Sequence, residues 1–170
     1  LGAARNYTSE LIGESVAVEP FSSVIVGGHQ PSLFHPGVWV KNFAIGNLAA
    51  RTDGVALNLV IDNDILSASH IRVPGGNRNH PVYETISFDE KRPAQPWEEI
   101  KIQNREIFES FGHRVVQNMK RGNIEPLVSK IWPDAVNQLG QSPLLRDALT
   151  AARHRLERRW GLANLELPIS

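Results

Sequence analysis

The feature that most constrains the fold is a pair of apolar, β-branched runs near the start of the chain, separated by a stretch with helical spacing. The first run occupies residues 23–26, and the second occupies residues 55–61 without a charged side chain. Such a near-continuous apolar run is typical of a central parallel strand covered on both faces. Between the runs, apolar residues recur at helical spacing from about Val38 until Thr-Asp-Gly at residues 52–54 marks a stop. Strand, helix and strand in this order predict a βαβ unit, and hence an α/β protein with a parallel sheet and flanking helices.

The connection between the first predicted strand and the helix is rich in groups that suit an anion. Gly27 and Gly28 are expected to end the strand, because glycine tolerates positive φ and leaves the backbone uncovered. If Pro36-Gly37 lies just before the first helical turn, the free N–H groups of residues 38–40 point into this connection, where the helix dipole favours an anion. The candidate binding residues are Gly27, Gly28, His29, Gln30, His35, Gly37 and Lys41. The alternative is a tight turn without a ligand, in which the histidines satisfy loop carbonyl groups.

An acidic triplet, Asp62-Asn63-Asp64, follows the second predicted strand. Ligands of open parallel sheets bind at the edge where the strands end, so the triplet and the glycine-bearing connection are expected at one edge. Asp62 and Asp64, supported by His70, are the candidate catalytic residues, since paired carboxylates suit a substrate amine, a divalent cation or a general base. The triplet is also a good turn and helix-cap sequence. Whether a metal binds stays open, because the histidines lack a diagnostic ligand spacing.

The middle of the chain predicts a β-hairpin extension. Residues 69–74 and 82–88 alternate between apolar and polar side chains, and a glycine-bearing stretch joins them. Arg78 and His80, at the polar tip of the hairpin, are either solvated or able to reach a ligand. A proline-rich linker follows.

The remainder of the chain predicts helices. The first begins near Trp97 and ends at Gly112 or continues to Gly122. The second covers residues 127–139, and Pro133 is expected to kink it or split it in two.

The last predicted helix has the clearest end signals. Ser142 is expected as its N-cap, Pro143 at its first position and Gly161 at its close. Its final turns carry Arg153, Arg155, Arg158 and Arg159. These arginines either complement the helix dipole and add solubility, or form a phosphate clamp.

Composition limits the partners. The chain has 170 residues with 18 basic and 18 acidic side chains, so bulk charge gives no reason to expect a nucleic-acid partner. It has no cysteine, which excludes disulfides and thiolate chemistry, and it has no apolar run of about 20 residues, the length of a membrane span. We therefore expect a cytoplasmic protein without a membrane partner, whose ligand is a small-molecule substrate or a nucleotide. A homodimer stays open.

Two parts of the chain are distinguished by pattern. Residues 1–92 are expected to form the α/β core with its hairpin extension, and residues 93–170 a helical part that packs on this core or extends it. Because the chain starts at Leu1 and stops in the strand-like residues 165–170, we expect a fragment of a longer protein.

The same segments resemble a known family. Gly28-His29-Gln30-Pro31-Ser32-Leu33-Phe34-His35 resembles the Gly-Gln-Gln-x-x-Leu-Phe-Thr stretch before the first core helix of the cysteine ligases of bacillithiol biosynthesis. Asp62-Asn63-Asp64 followed by His70 is similar to the Asp-His-Asp…His segment of that family. The resemblance covers residues 23 to 74 and differs from the family at His29, His35 and Asn63. It implies a Rossmann-like core related to nucleotidyltransferases and class I aminoacyl-tRNA synthetases.

A second resemblance concerns the loop alone. Gly27-Gly28, then His35-Pro36-Gly37-Val38, is similar to the Gly-Gly…His-x-Gly-His loop of nucleotidyltransferases, whose histidines stabilise phosphates during adenylyl transfer. In this chain Val38 takes the place of the final histidine, and the spacing from the glycines is one residue longer.

The resemblance implies a ligase or nucleotidyltransferase-like enzyme that joins an amino acid to a sugar-derived acceptor, with ATP or ADP at the core. In this interpretation His35 and backbone N–H groups hold phosphate, while His29 and Gln30 orient the ligand. Asp62 and Asp64 bind the amine of the amino-acid substrate or a metal, with support from His70. The alternative is a non-catalytic module of the same fold, which uses the connection for ligand sensing or assembly.

Overall fold

The computed structural model of the chain describes residues 1–66, 68–77, 79–120 and 123–170, with the backbone alone at residues 77 and 81. The helices are α1 (Gly2–Ile12), α2 (Pro36–Arg51), α3 (Arg105–Met119), α4 (Val128–Gln138) and α5 (Leu145–Arg159). The strands are β1 (Ser23–His29), β2 (Gly54–Val60), β3 (Ile65–Leu66), β4 (His70–Asn77), β5 (His80–Ser87), β6 (Gln95–Pro96) and β7 (Leu165–Pro168). Within these described ranges, no helix combines the length and the apolar character needed to cross a membrane.

The chain divides into two compact units. The first unit comprises Leu1–Asp64 and Leu149–Ser170, and the second comprises Ile65–Ala148. The predicted boundary at residue 92 falls inside the second unit, which joins the hairpin to α3 and α4. The division of the chain into residues 1–92 and 93–170 stays a prediction.

The first unit is built on a small parallel sheet with the strand order β1-β2-β7. Along the β1–β2 pair, Ser23 lies beside Gly54 and His29 beside Val60, and β7 lies parallel to β2 on its other side. α2 connects β1 to β2, so the predicted βαβ unit is confirmed. The chain is a mixed α/β protein.

One face of this sheet is buried more completely than the other. On β2, Ala56, Asn58 and Val60 are buried, while the residues between them are only half-buried. On β1, Val26 is 53% exposed. The expectation that the central strand is covered on both faces therefore holds fully for one face only.

Strand β1 continues through the two glycines that the sequence predicts as its end. Gly27 pairs with Asn58, and Gly28 pairs with Leu59. A Cβ atom on Gly27 would lie 3.0 Å from Ile45 Cγ2 on α2. Gly27 therefore allows α2 to approach the strand closely, and the prediction that the two glycines end β1 is wrong.

Helix α1 covers the outer edge of β7. Its buried residues are Ala4, Thr8 and Leu11. The Glu166 N–H of β7 donates to Thr8 Oγ1 at 2.8 Å, so the helix supplies a partner to an edge strand that would otherwise present free backbone groups.

The second unit contains the predicted hairpin, formed by the antiparallel pair β4 and β5. Arg78 of its tip lies outside the described residues. A buried carboxylate, Asp89, follows the hairpin and accepts backbone N–H groups from Gln103 and Asn104 at 3.0 and 2.9 Å. It also forms an ion pair with Arg92. This carboxylate fixes the segment that leads into α3.

Helices α3 and α4 pack on each other through aromatic side chains. The rings of Phe108 and Phe111 lie 4.6 and 4.4 Å from that of Trp132. α3 runs on through Gly112, whose added Cβ would lie 2.8 Å from Trp132 Cβ, so glycine allows the close helix contact. Gly122 lies outside the described residues.

The predicted helices differ from expectation in three places. α3 begins at Arg105 rather than near Trp97. α4 continues through Pro133, so the helix is not split there. α5 begins at Leu145 rather than directly after Ser142. Ser142 Oγ instead donates to Asp147 Oδ2 at 2.6 Å and accepts the Leu144 N–H at 3.3 Å.

Candidate functional site

The carboxyl ends of β1 and β2 lie side by side, as the register of the sheet requires. Directly after them, Gln30 Nε2 donates to Asp64 Oδ2 at 2.6 Å, and both side chains are exposed. Two of the predicted site residues therefore meet at the predicted sheet edge, in a contact between segments that are far apart in sequence.

The first turn of α2 adds further polar groups to this edge. His35 is the N-cap, and its Nδ1 accepts the Gly37 N–H at 3.1 Å. Because Nδ1 accepts, the neutral ring carries its proton on Nε2, which leaves a donor on the exposed side chain. Lys41 is also exposed, on the second turn. We call Gln30, His35, Lys41 and Asp64 the edge site.

Asp62 has a different environment from Asp64. It is 0% exposed, and its carboxylate accepts N–H groups from Ile169 and Ser170 at 3.2 and 3.1 Å and the Ser170 hydroxyl at 2.7 Å. These contacts hold the residues after β7 against the end of β2. The carboxylate of Asp62 is thus committed to structural hydrogen bonds.

His29 is directed into the first unit. It is 4% exposed, and burial, followed by the charge of Arg153, lowers its pKa. Its Nδ1 lies 2.7 Å from the Gln30 carbonyl oxygen, and its Nε2 lies 2.8 Å from Asn42 Oδ1. The alternative in which this histidine satisfies loop carbonyl groups describes its Nδ1 contact well.

His70 is the first residue of β4, in the second unit, and it is exposed. His80 is the first residue of β5 and is exposed as well. The support of Asp62 and Asp64 by His70 stays a prediction.

A buried cluster of four ionisable side chains lies beneath the sheet's well-covered face, where α5 meets β7. It consists of Arg153, His154, Glu157 and Glu166, none more than 2% exposed. Arg153 donates to Glu157 Oε2 at 2.7 Å and to both oxygens of Glu166 at 3.1 and 2.8 Å. His154 Nδ1 lies 3.3 Å from Glu166 Oε1.

The two carboxyl groups of the cluster differ in acidity. Burial alone would raise the pKa of Glu166, but Arg153 and His154 lower it to about 2. Burial dominates at Glu157 and raises its pKa despite the contact with Arg153. Glu166 is therefore the permanent anion of the cluster, and Glu157 is the group on which a proton is more readily held.

Asn42 connects this cluster to His29. Its Nδ2 donates to Glu157 Oε1 at 2.7 Å, while its Oδ1 faces His29. In this orientation both ring nitrogens of His29 face oxygen atoms, which suits a doubly protonated ring. Rotation of the Asn42 amide by 180° would exchange its Oδ1 and Nδ2 atoms. Nδ2 would then donate to Nε2 of a neutral His29 ring, and Oδ1 would accept a hydrogen bond from a protonated Glu157. The lowered pKa of His29 favours the neutral ring, and the raised pKa of Glu157 lets this carboxyl group take up a proton more readily as the pH falls.

The buried cluster also has the composition of a metal site. His154, Glu157 and Glu166 each offer a ligand atom, and these atoms lie within 4.8 Å of one another. However, Arg153 already supplies a cation to both carboxylates. The donor set therefore fits an internal ion-pair network better than a metal ion.

The sequence interpretation missed this cluster, although a signal was present. Arg153 and Glu157 lie four and eight residues after Leu149, on the same helical stripe as the apolar residues of α5. Charged residues on an apolar stripe indicate a buried ion pair. The expectation that the arginines of this helix stabilise its end or clamp a phosphate does not describe Arg153.

Comparison with known proteins adds no family assignment. No protein-family model matches the chain, and no curated protein matches it either.

Proposed function

We propose that the first unit is a Rossmann-like domain that binds a nucleotide or another small phosphorylated ligand at the edge site. The observation that supports this proposal best is the contact between Gln30 and Asp64 beside the first turn of α2. It joins polar groups from two parallel strand ends at the position where open α/β sheets hold their ligands. The resemblance of the same segments to a nucleotide-binding family agrees with it.

The exposed groups of the edge site have complementary roles in this proposal. Lys41 supplies a positive charge to the phosphate, and His35 Nε2–H supplies a hydrogen bond. Asp64 accepts hydroxyl or amino groups of the ligand, and Gln30 holds Asp64 in place. No net charge on the whole chain is needed, because these groups act locally.

Two candidate functions, a ligase and a non-catalytic binding module, differ in whether Asp62 and His29 must contact the ligand. A ligase that joins an amino acid to a sugar-derived acceptor is what the family resemblance suggests, with Asp64 and Asp62 receiving the amine. A non-catalytic ligand-binding module is favoured by the hydrogen bonds that already occupy Asp62 and by the burial of His29. We therefore propose binding as the primary function, and a ligase reaction as the hypothesis that the next experiment tests.

Titration calorimetry with ATP, ADP, inorganic phosphate and cysteine, each with Mg²⁺, tests the proposal. We expect saturable binding of ATP or ADP, and we expect Lys41→Gln and Asp64→Asn to weaken it by about tenfold each, the usual effect of a lost charged contact. Arg51→Gln, which removes an exposed cation at the other end of α2, is the matched control and should leave the affinity unchanged.

Two results decide between the outcomes. The absence of heat with every phosphorylated ligand would refute binding at the edge site. If ATP binds, release of ADP or AMP that depends on cysteine and a sugar-derived acceptor supports the ligase hypothesis, and binding without turnover supports the non-catalytic module.

A further inference from the structure

The first unit contains a cavity of about 370 Å³ at the amino end of β2, opposite the edge site. Its walls include Gly54 to Ala56 of β2, the last turns of α2, the end of α5 and the residues that follow α5. This volume lies within the range of small-molecule sites in proteins, about 300–1,000 Å³.

The outer wall of the cavity is a strap, residues 16–21, without helix or strand. Its ends are fixed, because the Val16 N–H donates to Ser9 Oγ at 3.0 Å and the Ser22 N–H donates to the Asp53 carbonyl oxygen at 2.8 Å. Val16, Val18 and Phe21 make much of this wall apolar.

Two buried polar atoms on side chains that line the cavity have no hydrogen-bond partner among the residues that the structure describes. They are His154 Nε2 and Asn164 Oδ1, on side chains that line the cavity and are each 2% exposed. Asn164 Nδ2 donates to the Asn42 carbonyl oxygen at 3.0 Å, which fixes the amide with Oδ1 free. Gly46 also lines the cavity, and it packs so closely on Asn164 that an added Cβ atom would lie 2.7 Å from Asn164 Oδ1.

Asn164 Oδ1 is an acceptor, because the nitrogen of this amide already donates to the Asn42 carbonyl oxygen. His154 Nδ1 lies against the Glu166 carboxylate and therefore carries a ring proton, and in the tautomer with this single proton Nε2 is an acceptor as well. A buried acceptor without a partner is costly, so a donor group on a ligand is favoured here. The lining at Asn164 and His154 therefore suits a hydroxyl or an amino group of a ligand.

The mouth of the cavity carries a positive charge rather than a hydrogen-bond acceptor. Arg158 lines it one helical turn after His154, and its side chain is 40% exposed. Its contact with Glu14 is a weak one, because the atoms lie 3.4 Å apart and Glu14 is 68% exposed. Arg158 is therefore available to pair with a carboxylate.

We infer that this cavity binds a small carboxylic acid that has an apolar skeleton and a hydroxyl or amino group. The carboxylate pairs with Arg158, the skeleton contacts the strap, and the donor group reaches the acceptors of His154 and Asn164. This site uses none of the edge-site residues.

Titration of the whole chain with four probes of one skeleton tests the inference: leucine, 2-hydroxyisocaproate, isocaproate and leucinol. Leucine and 2-hydroxyisocaproate distinguish an amino from a hydroxyl donor, isocaproate lacks the donor, and leucinol lacks the carboxylate. We expect leucine or 2-hydroxyisocaproate to bind about tenfold more tightly than the other two. Absence of saturable binding of all four in the millimolar range would overturn the inference, whatever the result at the edge site.

Variants at the mouth give effects of opposite sign. Arg158→Gln should weaken binding of the preferred acid by about tenfold, and Glu14→Gln should strengthen it about twofold, because it removes a competing carboxylate. Arg159→Gln, on the exposed side of α5, is the control and should change nothing. Asp64→Asn should also change nothing, which separates this site from the edge site. Equal affinities of Arg158→Gln, Glu14→Gln and the unmodified chain would refute the role of Arg158.

Discussion

Replacement of Arg153 by methionine should be among the most destabilising single changes in the first unit. The guanidinium makes three close contacts with Glu157 and Glu166, and all three side chains are at most 1% exposed. Methionine keeps much of the volume but leaves two carboxyl groups buried without their cation. Breaking a buried ion pair from one side costs about 3–5 kcal/mol, which is a large share of the stability of a typical domain.

The stability lost in Arg153→Met should depend on pH and on the carboxyl group of Glu157. Because burial already raises the pKa of Glu157, this group can take up a proton as the pH falls, and the defect of Arg153→Met should shrink in acid. For the same reason Glu157→Gln should destabilise the unmodified chain yet stabilise the Arg153→Met chain.

Urea unfolding followed by circular dichroism, with hydrogen exchange at the β7 amides as a reporter of the first unit, measures these effects. Arg159→Met, at an exposed position of the same helix, should change the free energy of unfolding by less than about 0.5 kcal/mol. Two results would refute the stabilising role of the cluster. One is a loss below about 1 kcal/mol in the free energy of unfolding of Arg153→Met at neutral pH. The other is an effect of Glu157→Gln on this free energy that is the same in the unmodified and the Arg153→Met chains.

Three further predictions concern single residues. Gly27→Ala should destabilise the chain by about 1–3 kcal/mol in thermal or urea unfolding, because the new methyl group meets Ile45 at 3.0 Å, whereas Gly2→Ala, with open space around it, should not. The pKa of Glu166 is about 2 in the folded chain and 4.5 in the unfolded chain, so its ionisation should add about 3 kcal/mol to the free energy of unfolding at pH values above 4.5. This contribution should be lost as the pH falls toward 2. A Glu166→Gln chain that unfolds in acid with the same pH dependence as the unmodified chain would contradict this prediction. His29 should be neutral at pH 7, because burial lowers its pKa, and imidazole ¹⁵N shifts typical of a charged ring would contradict this.

The backbone of the first unit was predictable because its signals are local. The apolar runs that become β1 and β2, the helical spacing between them and the stop after Arg51 lie within residues 23–61, and each has a direct physical cause. The hairpin has the same kind of signal in its alternation. By contrast, the end of β1 was misplaced, because Gly27 allows a close contact with Ile45, which no local pattern contains.

The candidate site was predictable in position but not in the state of each side chain. The parallel register brings Gln30 to Asp64, as expected for neighbouring strand ends. Which aspartate is exposed depends on residues 169 and 170, more than 100 positions away, which bind Asp62. The direction of His29 depends in the same way on Asn42, whose amide is held by another distant residue.

The order of segments in the first unit has a consequence for synthesis on the ribosome. β2, the middle strand, acquires β7 as its second neighbour only after Leu165–Pro168 have left the exit tunnel, whereas Ile65–Ala148 emerge earlier as one uninterrupted piece. Since domains generally fold as units while the chain is made, we expect Ile65–Ala148 to fold before the sheet of the first unit is complete, because Asp62 acquires the hydrogen bonds from Ile169 and Ser170 only after these residues have been made. Until β7 has emerged, one edge of β2 lacks its neighbouring strand, and this edge is open to misassembly and to chaperones.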